Sequence, residues 1–283
     1  MKKIISLFVA SLLISGCSTP VNSSESEIGS SSIISSESIL SESSSEPSSK
    51  VVKPFIDGKK LVVFGDSITA LGTWGAASAS ELNTYFYNAA MGGITTAQGI
   101  GRFPSVVPKQ KPDFVTICFG MNDLIMVSKN TPRVSLEEFY ENLVTLINMI
   151  KELNAIPILL TTNPLNPTLF WSAQGQDKAN YEITNGDPLA WLDMYNEVTR
   201  QVAKDTGEWL IDMRSKFSPE RYTTYLSDGI HLNSKGNELF TKTLVNSFME
   251  RYDHDPNAEP VVEPDRSVIV TPDMGKVSLM PED

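Results

Sequence analysis

Short apolar runs alternate along the chain with longer segments in which apolar residues recur every three or four positions. The short runs lie at residues 60–64, 112–119, 155–160 and 208–213, and the helical pattern occupies residues 135–153, 189–206 and 234–252. Strands that are apolar on both faces are typical of a parallel sheet covered by helices. Ser135 followed by Glu138 predicts a capping box at the first helix. The alternation predicts a three-layer α/β/α sandwich with a mainly parallel, flavodoxin-like sheet.

The first residues have the order of an export signal. Two lysines precede an apolar run at residues 4–14, which ends in Ser15-Gly16-Cys17. The run is about half the ~20 residues that span a bilayer, and small residues at its end are typical of a cleavage site. This ending resembles the bacterial lipobox, which implies removal of residues 1–16 and lipidation of Cys17. The protein is then expected outside the cytoplasm, anchored to the bacterial cell membrane. An ordinary signal peptide with an incidental cysteine is the alternative.

Two flanking segments lack the alternating pattern. Residues 18–50 contain sixteen serines and five glutamates, so no apolar face could offset the entropy of ordering them. Residues 253–283 are acidic and contain five prolines, with a short strand predicted at 267–270. We therefore predict a signal peptide at 1–16, a flexible tether at 17–50, a folded α/β domain at 51–252 and a mostly disordered tail at 253–283.

Composition excludes several classes of function. The 283 residues carry a net charge of −11 and include two cysteines and two histidines. These counts exclude a disulfide scaffold and a Cys/His zinc cluster, and we predict neither a metal nor a cofactor. Most of the acidic excess lies in the flanks, and the near-neutral domain has no basic patch for nucleic acid. Cys118 lies within a predicted strand and is expected to be a buried hydrophobic residue.

Glycine-containing polar blocks follow the predicted strands. They are residues 65–68 (Gly-Asp-Ser-Ile), 88–95, 120–123 (Gly-Met-Asn-Asp) and 228–231 (Asp-Gly-Ile-His). Each block alone fits an ordinary turn, but the carboxyl ends of the strands are where such sheets bind ligands. In this order the blocks resemble the SGNH hydrolase family, also called GDSL esterases and lipases, over about residues 58–250.

The resemblance implies a role for one residue of each block and for Asp228, which lies in the same block as His231. It implies Ser67 as nucleophile, His231 as base, Asp228 as the residue that orients the base, and Gly93 and Asn122 as oxyanion donors together with the N–H of Ser67. Gly92 precedes Gly93 and leaves the choice of glycine slightly ambiguous, although counting from Asn88 favours Gly93. The family name has Leu at the position of Ile68, a hydrophobic exchange of little consequence.

The chemistry of ester hydrolysis requires similar groups. A serine hydroxyl needs a base that titrates near neutral pH, which is the property of histidine. His231 is the only histidine of the domain, because His254 lies in the acidic tail. An aspartate three residues before it can reach Nδ1, and each oxyanion donor contributes about 3 kcal/mol to the transition state.

Other residues have two interpretations. Asp66 and Asp123 flank candidate catalytic residues, and we expect them to brace turns. Trp74 either lines an acyl pocket or packs in the core. The long connection at 163–187 places aromatic residues, Trp171 among them, beside amides, which suits a sugar ring as well as plain packing.

The sequence therefore predicts a secreted, lipid-anchored serine esterase that needs no cofactor. Its leading expected substrates are esters of small acyl groups such as acetate on carbohydrates, and acylated small molecules are also expected partners. A lysophospholipase or short-chain lipase is the alternative among enzymes. A surface binding lipoprotein without turnover is the alternative of another class.

Overall fold

The computed structural model describes residues 56–219 and 221–252. The predictions for the signal peptide, Cys17, the tether at 17–50, the tail at 253–283 and its strand at 267–270 therefore lie outside the described residues. Within the described ranges, no helix has both the length and the apolar character that a membrane crossing requires.

Residues 56–219 and 221–252 contain a central parallel sheet and one small hairpin. The strands are β1 (Lys60–Gly65), β2 (Tyr85–Asn88), β3 (Phe114–Cys118), β4 (Met126–Ser128), β5 (Thr131–Pro132), β6 (Ile156–Leu160) and β7 (Trp209–Ile211). The sheet order is β2-β1-β3-β6-β7 with every pair parallel, whereas β4 and β5 pair antiparallel. The order reverses between β1 and β3, which opens a crevice at their carboxyl ends.

Helices cover both faces of the sheet. They are α1 (Ser67–Ala70), α2 (Trp74–Glu81), α3 (Thr96–Val106), α4 (Leu136–Lys151), α5 (Pro167–Gln174), α6 (Pro188–Thr206) and α7 (Ser234–Arg251). α2 packs against α7, while α3 and α6 pack against α4, so the helices form two separate layers. The predicted three-layer α/β/α sandwich is confirmed.

The core contains residues whose role the sequence left open. Cys118 is fully buried in β3, as predicted. Trp74 is also fully buried: its indole N–H donates to the carbonyl of Ile68 at 3.2 Å, and its ring lies 5.7 Å from that of Phe240. Trp74 therefore packs behind α1 and supports the turn that carries Ser67.

The connection at 163–187 is more regular than expected. It contains α5 and the 3₁₀ turns Lys178–Asn180 and Glu182–Thr184. Asn166 begins α5 because its side chain accepts the N–H groups of Thr168 and Leu169, and Pro167 occupies the first helical position. The long connection is therefore partly helical, because the Asn166 amide and Pro167 form a helix start.

Candidate active site

Ser67 is the first residue of α1, directly after β1. The N–H of Asp66 donates to the carbonyl of Cys118 at 3.3 Å, and Oδ1 of Asp66 accepts the N–H of Ile68 at 2.9 Å. A side chain at Gly65 would collide with the same Cys118 carbonyl, so the tight exit from β1 requires glycine there. This local structure presents Ser67 at the carboxyl edge of the sheet.

Ser67, His231 and Asp228 form a continuous chain of polar contacts. Oγ of Ser67 lies 2.9 Å from Nε2 of His231, and Nδ1 of His231 lies 2.7 Å from Oδ2 of Asp228. Ser67 and His231 are 164 positions apart in the sequence, so the fold creates this contact. The arrangement allows the imidazole to take a proton from the hydroxyl while the carboxylate stabilises the resulting cation.

The Asp228–His231 turn is organised by the same carboxylate. Oδ1 of Asp228 accepts the N–H groups of Ile230 at 3.0 Å and His231 at 2.8 Å. Partial burial raises the pKa of Asp228, but the hydrogen bonds from His231 and Ile230 outweigh it and hold that pKa below its usual range. Asp228 is therefore a carboxylate at neutral pH.

Two asparagines from another part of the chain hold this turn against the sheet. The amide of Asn163, just after β6, donates to the carbonyl of Ile230 at 2.9 Å. The N–H of Asn166 donates to the carbonyl of Gly229 at 2.7 Å. Sequence reasoning missed this role for both residues. Their position after the carboxyl end of a strand is the signal that could have indicated it.

The predicted oxyanion donors also lie at the carboxyl edge. The N–H of Met91 donates to the carbonyl of Gly65 at 3.1 Å, and a Cβ at Gly92 would lie 3.7 Å from Cβ of Ser67. Gly93 has φ +79°, a left-handed conformation that glycine adopts without strain. Asn122 is 9% exposed, and its Nδ2 is buried without a hydrogen-bond partner. An unpaired buried amide is available to a ligand oxygen.

Asp66 and Asp123 are fully buried beside these groups. Burial raises the pKa of Asp66 to about 7 and that of Asp123 to about 6. Oδ1 of Asp123 accepts both the N–H and the hydroxyl of Thr96, which ties the start of α3 to the loop after β3. Asp123 thus connects the segment of Gly93 to that of Asn122, and Asp66 caps α1 through Ile68. Across the described ranges, no group of three or more His, Cys, Asp and Glu side chains could hold a metal ion.

The chain matches a known family over most of its described length. A model of the GDSL-like Lipase/Acylhydrolase family matches residues 63–239. The chain belongs to this family. Membership, together with the esterases among its relatives, identifies the protein as a serine ester hydrolase of the GDSL type.

Three relatives illustrate the range of this GDSL family. The lipoprotein YqeF of Bacillus subtilis is 33% identical over 54% of this chain and 69% of its own length. The human isoamyl acetate-hydrolyzing esterase 1 homolog is 33% identical over 64% of this chain and 77% of its own. The acetylxylan esterase of Geobacillus stearothermophilus is 26% identical over 66% of this chain and 93% of its own. A crystal structure of that esterase covers 68% of this chain and 94% of its own with a TM-score of 0.53, at 21% identity, and shows the same fold.

Proposed function

We propose that this GDSL esterase hydrolyses esters of small acyl groups, acetate above all, through a Ser67–His231–Asp228 triad. The observation that carries the proposal is the unbroken chain from Oγ of Ser67 through the imidazole to Asp228, with contacts of 2.9 and 2.7 Å. In the first step Oγ bonds to the ester carbonyl carbon as its proton passes to Nε2 of His231. Asp228 stabilises the imidazolium through Nδ1.

The oxygen of the tetrahedral intermediate carries the developing negative charge. The amide of Asn122 and the N–H groups of Gly93 and Ser67 are the proposed donors to it. When the intermediate collapses, the C–O bond to the alcohol breaks, and His231 gives its proton to that oxygen. Water then attacks the acyl-serine with His231 again as base, which releases the carboxylic acid and restores Ser67.

Carbohydrate is the leading proposal for the alcohol part of the substrate. A shallow cavity of about 320 Å³ lies beside Trp171, with Lys178, Asn185 and the start of α5 in its lining. One aromatic face among hydrogen-bonding groups suits a sugar ring. The same α5 contacts the triad turn, because the N–H of Asn166 donates to the carbonyl of Gly229. The acetylxylan esterase among the relatives supports this reading.

An apolar alcohol is the second candidate, and specific residues favour it. Leu71, Met91 and Leu169 are 68%, 44% and 44% exposed. Leu71 donates its N–H to the carbonyl of Ser67, Met91 donates to that of Gly65, and Leu169 lies against Gly229. Exposed apolar side chains next to a nucleophile can bind an alkyl group. The human relative is named for isoamyl acetate, an ester of this kind.

A substrate panel separates these candidates from the lipase alternatives. We expect kcat/KM to fall once the acyl chain exceeds about four carbons, because a pocket shaped for acetate excludes each further methylene. A comparison of kcat/KM on acetylated xylo-oligosaccharides and on isoamyl acetate then shows which alcohol part the enzyme prefers. Activity that rises steadily toward octanoyl or palmitoyl esters contradicts the small-acyl proposal and favours a lysophospholipase or short-chain lipase.

Trp171 tests the carbohydrate part directly. Its ring packs at 5.2 Å from that of Tyr181, so Trp171→Phe is the variant that keeps an aromatic contact. We expect Trp171→Ala to weaken activity on an acetylated oligosaccharide and to spare p-nitrophenyl acetate, while Trp171→Phe loses less. Equal loss on both substrates would show a packing role only.

We also propose that the mature enzyme is held at the outer face of the cell membrane through a lipidated Cys17. The sequence order of charge, apolar run, small residues and cysteine supports it, as does the lipoprotein name of the Bacillus subtilis relative. Mass spectrometry of the mature N-terminus tests it: an acylated Cys17 is expected, and Cys17→Ser should abolish attachment. An unmodified chain that begins elsewhere contradicts the anchor and leaves the esterase proposal intact.

A further inference from the structure

Asp66 lies between the strand ends that carry Ser67 and Asn122. Its side chain is fully buried, and Oδ1 accepts the N–H of Ile68, which begins α1. This bond accounts for one carboxyl oxygen only. The other, Oδ2, is buried and makes no hydrogen bond of regular geometry.

The side-chain amide of Asn122 is the complementary group. Its Nδ2 is also buried and makes no hydrogen bond of regular geometry. Asp66 and Asn122 follow neighbouring strand ends, because Gly65 of β1 pairs with Cys118 of β3 and the N–H of Asp66 donates to the Cys118 carbonyl at 3.3 Å. Burial has the larger effect on the pKa of the Asp66 carboxyl and raises it, whereas the amide of Asn122 and the N–H of Met121 lower it. An unpaired buried polar group destabilises the fold. A hydrogen bond between a buried donor and a buried acceptor removes this cost for both groups.

We propose that Asp66 is a positioning residue whose Oδ2 holds one N–H of the Asn122 amide and so directs the other N–H at the oxyanion. A primary amide has two N–H donors, which makes the two bonds compatible. One buried carboxyl then fixes both reacting elements, the Ser67 turn through Oδ1 and the Asn122 donor through Oδ2. The inference rests on the proposed function, in which Asn122 is an oxyanion donor.

Asp66→Asn is the most informative variant. Its amide oxygen can still accept the N–H of Ile68, so the cap of α1 is kept. Its NH₂ group replaces Oδ2 and repels the amide of Asn122. The variant is expected to fold, since burial disfavours the charged form of Asp66 and a neutral amide removes that penalty. Asp177→Asn is the matched control, because Oδ1 of Asp177 accepts the N–H of Ala179 at the same 2.9 Å on an exposed turn.

The test is a double-mutant cycle on p-nitrophenyl acetate. We expect Asp66→Asn to lower kcat about 10- to 100-fold with KM changed less than about threefold, and Asn122→Ala to lower kcat about 10²- to 10³-fold. In the Asn122→Ala background, Asp66→Asn should have less than about a threefold further effect, because the group that it positions is gone. Asp177→Asn should leave kcat unchanged.

Three results overturn the proposal, and the first two are distinguishable from the third. A kcat within about twofold of wild type for Asp66→Asn, or losses that multiply fully in the double variant, refutes the role of Asp66 and leaves the triad intact. A normal kcat in Asn122→Ala refutes the premise that Asn122 is a donor. If Asp66→Asn does not fold by circular dichroism, Asp66→Ser replaces it under the same criteria, since a serine hydroxyl caps a helix but is too short to replace Oδ2.

Discussion

The nucleophile region and the base region of the active site are held in different ways. In the nucleophile region, residues 65–67, 91–93 and 120–123, the side chains of Asp66 and Asp123 are fully buried among strand ends. In the base region, residues 226–233, the Asp228 side chain is 53% exposed and the His231 side chain 26%. The carboxyl groups of the first region therefore lie in the core, whereas that of the second lies on a surface turn held by hydrogen bonds.

The carboxyl groups of the two regions respond to these surroundings in opposite directions. Burial raises the pKa of Asp66 and Asp123, whereas hydrogen bonds from His231 and Ile230 lower that of Asp228. The same residue type thus braces the fold in one region and supports proton transfer in the other. We therefore expect substitution of the exposed Asp228 to change activity with little change in stability, and substitution of the buried Asp66 or Asp123 to change stability as well.

Ser67→Ala should have the largest effect on turnover. Removal of a triad member lowers kcat by about 10⁴- to 10⁶-fold, and the half-buried serine is small enough for alanine to leave the fold intact. Turnover of p-nitrophenyl acetate and thermal unfolding by circular dichroism measure the two quantities. Near-normal turnover would show that Ser67 is not the nucleophile and would contradict the role given to this region.

Asp228→Ala tests the expectation that the base region contributes little to the stability of the fold. Loss of the orienting carboxylate should lower kcat by about 10⁴-fold, because the imidazole loses its preferred tautomer and its stabilised cation. We expect the melting temperature to change by less than about 3 °C, since the side chain is half exposed. Glu238→Ala is the control: it removes an exposed carboxylate paired with Lys242 on α7 and should change neither quantity. A large drop in melting temperature for Asp228→Ala would contradict the comparison.

Asn122→Ala is expected to have a smaller effect on turnover than either triad substitution. It removes one of three proposed donors, so kcat should fall by about 10²- to 10³-fold. Because the donor acts on the transition state, kcat and kcat/KM should fall together. A rise in KM at constant kcat would instead show that Asn122 binds the substrate and does not stabilise the oxyanion.

The smallest expected effect is a change in the pH dependence of stability. The pKa of Asp123 in the folded state, about 6, lies above its ordinary value of 3.8 because of burial, so the folded protein binds the proton more tightly than the unfolded chain. Its contribution to stability is complete below about pH 4 and is lost as the pH rises through 6. Urea unfolding at pH 4.5 and pH 7.5 should show Asp123→Asn gaining stability relative to wild type at the higher pH. A difference that does not depend on pH would contradict the raised pKa.

The buried elements of the fold were the most predictable from sequence. β1, β3 and β6 are apolar on both faces, and α4, α6 and α7 follow the helical period, so each was located within a few residues. β2 was missed because it is an edge strand in which Tyr85 and Tyr87 are 67% and 39% exposed. α3 was missed because it contains two glycines and a proline, and it begins because Thr95 and Gln98 form a capping box.

Contacts between distant segments were the least predictable part of the site. The order of the four blocks indicated Ser67, Asn122 and His231, and the structure places Ser67 and His231 in contact. Nothing local to Asn163 or Asn166 indicates that the triad turn lies opposite them. That proximity depends on how the end of β6 approaches the segment before α7, which is a property of the folded chain.

Asn166 has a consequence for the engineering of specificity. Its side chain starts α5, the helix beside the proposed sugar cavity, while its backbone N–H holds Gly229 of the triad turn. The wall that meets the alcohol and the turn that carries the base therefore share one residue. If this segment is replaced by that of another esterase, Asn166 has to be kept. Otherwise the exchange would shift the position of His231 as well as the shape of the pocket.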